Sequence, residues 1–165
     1  MTVTTRAELP EDAPATRRLH MAAFPGPDEA DLVDALRRDP AWLPGLSVVA
    51  VEESGLVVGH ALLTRLQIGE GWGLALAPVA VAPEWQRKGV GAQLVRAALA
   101  AAEAAGERLV VVVGDQHYYA RFGFTPAFEH GITADFPPEY IGALALARDD
   151  VPRGHCRYPE PFGAV

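Results

Sequence analysis

At 165 residues, half of them hydrophobic and 21% charged, the chain has the length and composition of one globular domain with a sizeable core, which excludes a disordered or low-complexity protein. Acidic residues exceed basic ones by seven, a balance that argues against a general nucleic-acid binder and suits a cationic, amine-bearing partner better. Cys156 is the only cysteine, so an intrachain disulfide and a Cys-rich metal site are both ruled out.

The elements follow in chain order. Residues 2–7 alternate weakly and carry Val3 between threonines, which suits an edge strand. Leu9-Pro10-Glu11-Asp12 then reads as a turn into a helix over about 11–23, with acidic residues at its positive end. Phe24-Pro25-Gly26-Pro27 stops that helix. Asp28 starts a second one, whose short apolar face is Leu32, Val33 and Leu36. A strand over 46–51, a turn at Glu52-Glu53-Ser54-Gly55, a strand over about 56–66 and a turn at Gly69-Glu70-Gly71 lead to a further strand over 74–81. Gly59 marks a bulge or a close backbone contact. His20 reads as a surface histidine and His60 as a strand-surface residue, with contact to a substrate as the rarer role for each.

The strand over 74–81 ends in Pro78-Val79-Ala80-Val81 and passes through Ala82-Pro83-Glu84-Trp85 into Gln86-Arg87-Lys88-Gly89-Val90-Gly91-Ala92. A helix follows, from near Gly89 to about Ala105, rich in alanine and with Val90, Leu94, Val95 and Leu99 on one face. Two glycines and two cations at a helix start point to a phosphate or pyrophosphate, because free N–H groups emerge there and glycine admits a bulky anion. The nucleotide P-loop does not fit, since Lys88 precedes Gly89 and no hydroxyl follows. The dinucleotide fingerprint also fails, because Leu94 stands where its third glycine belongs. Pro78 cannot donate a ladder hydrogen bond, so it suits a bulge or an unpaired position.

Residues 109–113, Leu-Val-Val-Val-Val, read as a strand covered on both faces. After it comes Tyr118-Tyr119-Ala120-Arg121-Phe122-Gly123-Phe124. Residues 125–128 are expected to extend a strand, 131–140 to form a loop, and 141–146 to form another strand before a proline-interrupted tail. The five histidines have no metal-ligand spacing, and no metal is expected. The first residues lack a basic region and a hydrophobic signal core, and no apolar run reaches membrane-spanning length, so a cytoplasmic protein away from membranes is expected.

Gln86 to Ala92 after a strand ending Val79-Ala80-Val81, followed by the aromatic pair before Gly123-Phe124, resembles the GCN5-related N-acetyltransferase superfamily. The tail match Tyr158-Pro159-Glu160-Pro161-Phe162 extends the likeness to a bacterial subgroup with a Tyr-Tyr-x-Arg-Phe-Gly-Phe motif. The resemblance implies an α/β fold of the acyl-CoA N-acyltransferase type, with a mixed, mostly antiparallel central sheet flanked by helices. Residues 1–165 would form one N-acetyltransferase domain, with 147–165 as its C-terminal extension. It implies acetyl-CoA as cosubstrate and direct transfer to an amine of a small molecule, peptide or protein. The pantetheine arm would pair with the backbone of Val79, Ala80 and Val81, and the pyrophosphate with Gln86, Arg87, Lys88, Gly89, Val90, Gly91 and Ala92, chiefly through backbone atoms. Tyr119 matches the tyrosine that stands near the coenzyme sulfur as general acid.

The general base stays open. Leu74-Ala75-Leu76-Ala77 lacks the carboxylate that some family members carry on this strand, which leaves an ordered water, His117, Asp115 or Glu129. Tail residues His155, Cys156 and Tyr158 are candidates for an acceptor pocket. A non-catalytic coenzyme-A-binding or regulatory protein and an enzyme using another acyl-CoA are the alternatives. A homodimer through a sheet edge or the C-terminal segment is compatible with the sequence, though no feature establishes it.

Overall fold

Alternating and continuous runs of Val, Leu and Ala dominate the middle of the chain, and in the computed structural model, which describes residues 2–164, they form one twisted sheet. In chain order the elements are β1 (Val3–Ala7), α1 (Ala13–Ala23), α2 (Asp28–Arg37), β2 (Trp42–Glu52), β3 (Val57–Ile68), β4 (Gly71–Val81), α3 (Val90–Ala104), β5 (Leu109–Val113), α4 (Gln116–Tyr119), β6 (Thr125–Pro126), β7 (Ile132–Thr133), β8 (Ile141–Ala145) and β9 (Gly154–Arg157). Short 3₁₀ turns lie between several of them. The strands run β1-β2-β3-β4-β5-β8-β6, antiparallel except for β4 against β5. The expected mixed, mostly antiparallel sheet between helices is present.

Adjacent strand residues point to opposite faces, and β3 shows what covers each face. A Cβ on Gly59 would lie 2.6 Å from Leu94 Cδ1 and 3.2 Å from Val90 Cγ1, both on α3. The next residue, His60, bonds to His20 on α1. Helices α1 and α3 therefore cover opposite faces. Leu62, also on the α1 face, packs with Leu32, Val33 and Leu36 of α2. The buried residues Val90, Leu94, Val95, Ala98, Leu99 and Ala102 make the inner stripe of α3, the 3.6-residue periodicity expected of it.

Two irregularities shape β4. Opposite β3 the pairs Ala61↔Val79 and Leu63↔Leu76 enclose one residue on β3 and two, Ala77 and Pro78, on β4, so the bulge falls where the proline removes a donor. The Ala77-Pro78 peptide is cis. Beside β5 the ladder consists of Leu74↔Val110 and Ala75↔Val111. Past that point β4 pairs only with β3, β5 stays paired with β8 on its other edge, and the two parallel strands part.

Several boundaries differ from expectation. β2 starts four residues earlier than the strand read over 46–51, and its Trp42 pairs with Thr64 of β3. Of residues 125–128 only Thr125–Pro126 is strand, because the chain winds into a 3₁₀ turn at Ala127–His130 that buries Ala127. The loop expected over 131–140 holds β7, which pairs with β9, and β9 in turn runs beside Gln67 and Ile68 of β3. That tail strand occupies the edge of β3 beyond the point where β2 ends.

Candidate active site

The splay of β4 from β5 brings three sets of groups together. Val79, Ala80 and Val81 form one wall, with their β3-facing edge paired to Ala61, His60 and Gly59 and their other edge turned toward the gap. The 3₁₀ turn Pro83–Trp85 carries the chain to Gln86, Arg87, Lys88 and Gly89, all exposed. Arg87 (φ 62°) and Gly89 (φ 84°) both take left-handed conformations, which reverse the chain into α3. Gln86 differs from the rest in one respect, since its side-chain amide donates to Val81 O at 3.0 Å and ties the loop to the strand end.

The first 5→1 bond at this end runs from Gln93 N–H to Gly89 O. The N–H groups of Val90, Gly91 and Ala92 thus precede the helical ladder and have no carbonyl within it. Such a helix start holds an anion. At Gly91 a Cβ would stand 3.4 Å from the Tyr118 hydroxyl and 3.7 Å from Val81 Cγ2, in van der Waals contact with both. A glycine at that position keeps the backbone accessible between strand, helix and tyrosine.

The other wall comes from the end of β5. Asp115 accepts from His117 N–H at 2.9 Å and caps α4, which carries both tyrosines. The Tyr119 ring lies against Gly114, where a Cβ would be 2.9 Å from Tyr119 Cε2, and packs edge-on with Phe124 at 5.8 Å. Burial, with a smaller contribution from Tyr118, raises the Tyr119 phenol above its usual range, so it keeps its proton at neutral pH. Tyr118 takes the opposite side, its hydroxyl at Gly91 and its ring under the Arg121 guanidinium at 4.3 Å. The sequence signal for Tyr118 is its adjacency to Tyr119, which does not say on which side of α4 its hydroxyl emerges. Phe124 is buried and Phe122 packs against the core, as expected, while Gly123 takes φ 99° at the turn between them.

Two histidines depart from expectation. Neither His20 nor His60 is a surface residue; both are fully buried, because α1 closes over β3. His20 Nε2 and His60 Nδ1 are 2.8 Å apart, and His60 Nε2 is 2.7 Å from Ser47 Oγ. Ser47 donates to Glu8 Oε1 at 2.7 Å, and Thr16 donates to Glu8 Oε2 at 2.6 Å. Arg37 reaches both Glu8 oxygens, at 3.0 and 2.7 Å. Burial would raise the Glu8 carboxyl, but Arg37 and the two hydroxyls outweigh it and leave it below the ordinary value. Burial lowers His20 to about 4 and His60 to about 3, the dominant effect in each. Both rings are therefore neutral at pH 7, and the 3.9 Å approach of His60 to Glu8 is not an ion pair.

The residues considered for the general base are not drawn together. His117 and Glu129 are exposed, and Asp115 is engaged as a cap. In the tail, His155, Cys156 and Tyr158 do line one cavity, of about 760 Å³, with Phe136 and Phe162. Burial raises the Cys156 thiol to about 11, which keeps it protonated and unsuited to nucleophilic attack. Among the described residues no cluster of His, Cys, Asp and Glu could hold a metal ion, and no helix is long and apolar enough to cross a membrane.

The chain is 39% identical over 93% of its length, and 92% of theirs, to the uncharacterised N-acetyltransferase YjhQ of Escherichia coli strain K12. It is 35% identical over 80% of its length to YhbS of the same strain, covering 79% of that protein. A crystal structure of Escherichia coli YhbS in complex with CoA superposes with a TM-score of 0.90 at 29% identity, covering 98% of this chain and 92% of that one. A Brucella melitensis acetyltransferase in complex with acetyl-CoA superposes at 0.81 with 34% identity over 98% of both chains. Residues 13–124, from the start of α1 to the end of the aromatic motif, match the Acetyltransferase (GNAT) family. That match covers more than half of the chain, and the chain belongs to the Acetyltransferase (GNAT) family.

Proposed function

We propose that the protein transfers the acetyl group of acetyl-CoA directly to an amine of a small molecule, peptide or protein, with the β4/β5 gap as the coenzyme site. The observation that carries this reading is an unpaired strand edge beside a helix start with free N–H groups, with the Tyr118 hydroxyl at Gly91 and the half-buried Tyr119 phenol on the adjoining α4. The backbone of Val79, Ala80 and Val81 pairs with the pantetheine arm. The loop and helix start from Gln86 to Ala92 hold the pyrophosphate, with Arg87 and Lys88 adding charge and the Tyr118 hydroxyl bordering the same space. The CoA and acetyl-CoA complexes of the two similar structures support a coenzyme-A ligand for this chain.

Tyr119 supplies a proton to the sulfur as the thioester opens. Its raised pKa suits a donor that must remain protonated until negative charge develops beside it. Residues 1–165 act as one domain; the seating of β9 beside β3 supports counting 147–165 as part of it. The excess of seven acidic residues favours an amine acceptor over nucleic acid. A cytoplasmic location, where acetyl-CoA and reduced thiols coexist, fits the lone buried cysteine.

Thiol release from acetyl-, propionyl- and succinyl-CoA against pooled amines and peptide N-termini tests the reading, with Tyr119→Phe as the paired control. Acceptor-dependent release that collapses in the variant while coenzyme binding persists is the expected result. A protein that binds no coenzyme A at all would overturn the site assignment, and binding without turnover in every pool would favour a coenzyme sensor.

A further inference from the structure

The bonds that start at Glu8 have a direction, and it follows from counting protons. An ionised carboxylate only accepts, so Ser47 spends its single proton on Glu8 Oε1. The 2.7 Å contact between Ser47 Oγ and His60 Nε2 then needs its proton from the ring, which fixes His60 as the Nε2–H tautomer with a bare Nδ1. By the same rule His20 donates Nε2–H to His60 Nδ1 across 2.8 Å, and its own Nδ1 is left as a lone pair. That atom is buried and has no hydrogen-bond partner. Every other link in the chain is paired. An orphaned acceptor in a dry setting costs free energy unless something comes to it.

Position suggests what comes. His60 stands opposite Ala80 in the β3–β4 register, and Ala80 belongs to the strand edge that borders the gap. His20 belongs to α1, which packs across both β3 and β4, and its ring is held by stacking on Phe24 at 5.8 Å. At the other end Glu8 lines a cavity of about 410 Å³ with Pro10, Ala13, Arg37 and Trp42. The chain thus runs from beneath α1, where that helix packs on β3 and β4, to an open cavity.

We propose that His20, His60, Ser47 and Glu8 form a proton shuttle for acetyl transfer, entered at His20 Nδ1. This rests on the transferase reading above. The amine nitrogen bonds to the carbonyl carbon, the carbon–sulfur bond breaks with its electron pair on sulfur, and the nitrogen sheds a proton to a water, which passes one of its own to the buried His20 Nδ1. The Nε2 proton of His20 moves to His60 Nδ1, that of His60 Nε2 to Ser47 Oγ, and that of Ser47 to Glu8. The reverse pass returns one proton to the gap, replaces the one sulfur has taken and restores both Nε2–H tautomers. The products are acetylated amine and free thiol with no net proton. The charged or titratable groups acting on His20 are Glu8 from the segment after β1, Asp34 and Arg37 from α2, and His60 from β3.

Two experiments on the full chain test this. Long-range ¹H–¹⁵N spectra of histidine-labelled protein at pH 7, without coenzyme, should show both buried rings neutral and protonated at Nε2. A proton on His20 Nδ1, or an imidazolium there, overturns the shuttle whatever the activity. In thiol release against the amine pool, His60→Gln keeps a donor and an acceptor but cannot pass a proton. It should lower kcat by about a hundredfold with the KM for acetyl-CoA unchanged; wild-type kcat in that variant overturns the proposal, because a merely structural histidine is replaced by glutamine. If His60→Gln fails to fold, Ser47→Ala makes the same cut, and Ser47→Thr should restore the rate. Should the wild type bind coenzyme A yet release no thiol with any amine, the transferase reading fails, and the spectra alone decide whether the shuttle's proton arrangement exists.

Discussion

Two adjacent tyrosines on one short helix end up with different surroundings, and substitution should separate them. Tyr119→Phe removes the proton donor but keeps the ring against Gly114 and Phe124. It should lower kcat about a hundredfold with coenzyme affinity preserved, measured by thiol release and titration calorimetry. Tyr118→Phe removes a hydroxyl near Gly91 and should act instead on coenzyme binding, about fivefold, the effect of one lost hydrogen bond. Tyr119 was legible in the sequence because its spacing to Phe124 matches a family motif. The Glu8–Ser47–His60–His20 chain was not, because its members lie on four separate segments and only packing joins them. An isolated histidine in an alternating strand carries no mark of which way it faces until the register and the covering helix are known.

At the scale of elements, β3 and α3 approach closely because Gly59 has no side chain. Valine there would place its Cβ 2.6 Å from a carbon of Leu94, which is itself fully buried and has nowhere to retreat. Gly59→Val should destabilise the fold by about 1–3 kcal/mol in urea titration, and an unchanged midpoint would count against this packing. Gly91→Val acts on the same helix from the other side. Its side chain would enter the space under the Tyr118 hydroxyl, and coenzyme A binding should weaken about tenfold or more with the unfolding midpoint little altered. Long elements with strong periodicity, such as α3 and the strand over 109–113, were readable to within a residue or two. The two-residue strand β7 was not, and β6 was read two residues too long, since their pairing with β9 and β8 is set by where distant chain passes, not by their own composition.

Across the whole molecule, the buried polar cluster makes stability depend on pH. His20 and His60 titrate at about 4 and about 3 in the fold, against an ordinary 6.5. The unfolded chain binds protons that the folded one refuses, so this stabilisation is complete above pH 6.5 and is lost as pH falls toward 4. Glu8, lowered below 4.5, adds a further loss at more acidic pH as its carboxylate is protonated. Urea midpoints measured from pH 7 to 4.5 should decline steadily, and His60→Phe should flatten the decline. A midpoint constant over that range would show that the two rings are not excluded from protonation.

The bulge at Ala77-Pro78 has a consequence for how β4 can change. Before it, Leu74 and Leu76 share the face of Arg65 and Leu63; after it, Val79 and Val81 share the face of Ala61 and Gly59, so the same side of the sheet is written first in even and then in odd positions. The strand is spelled in two frames joined at one residue. Deleting that residue would merge the frames into one regular ladder, with Ala80 still opposite His60 and Val79 and Val81 still opposite Ala61 and Gly59. The strand can thus lose one residue at the junction and keep both faces, whereas an added residue must be taken up in a further bulge or it turns every side chain after it to the other face.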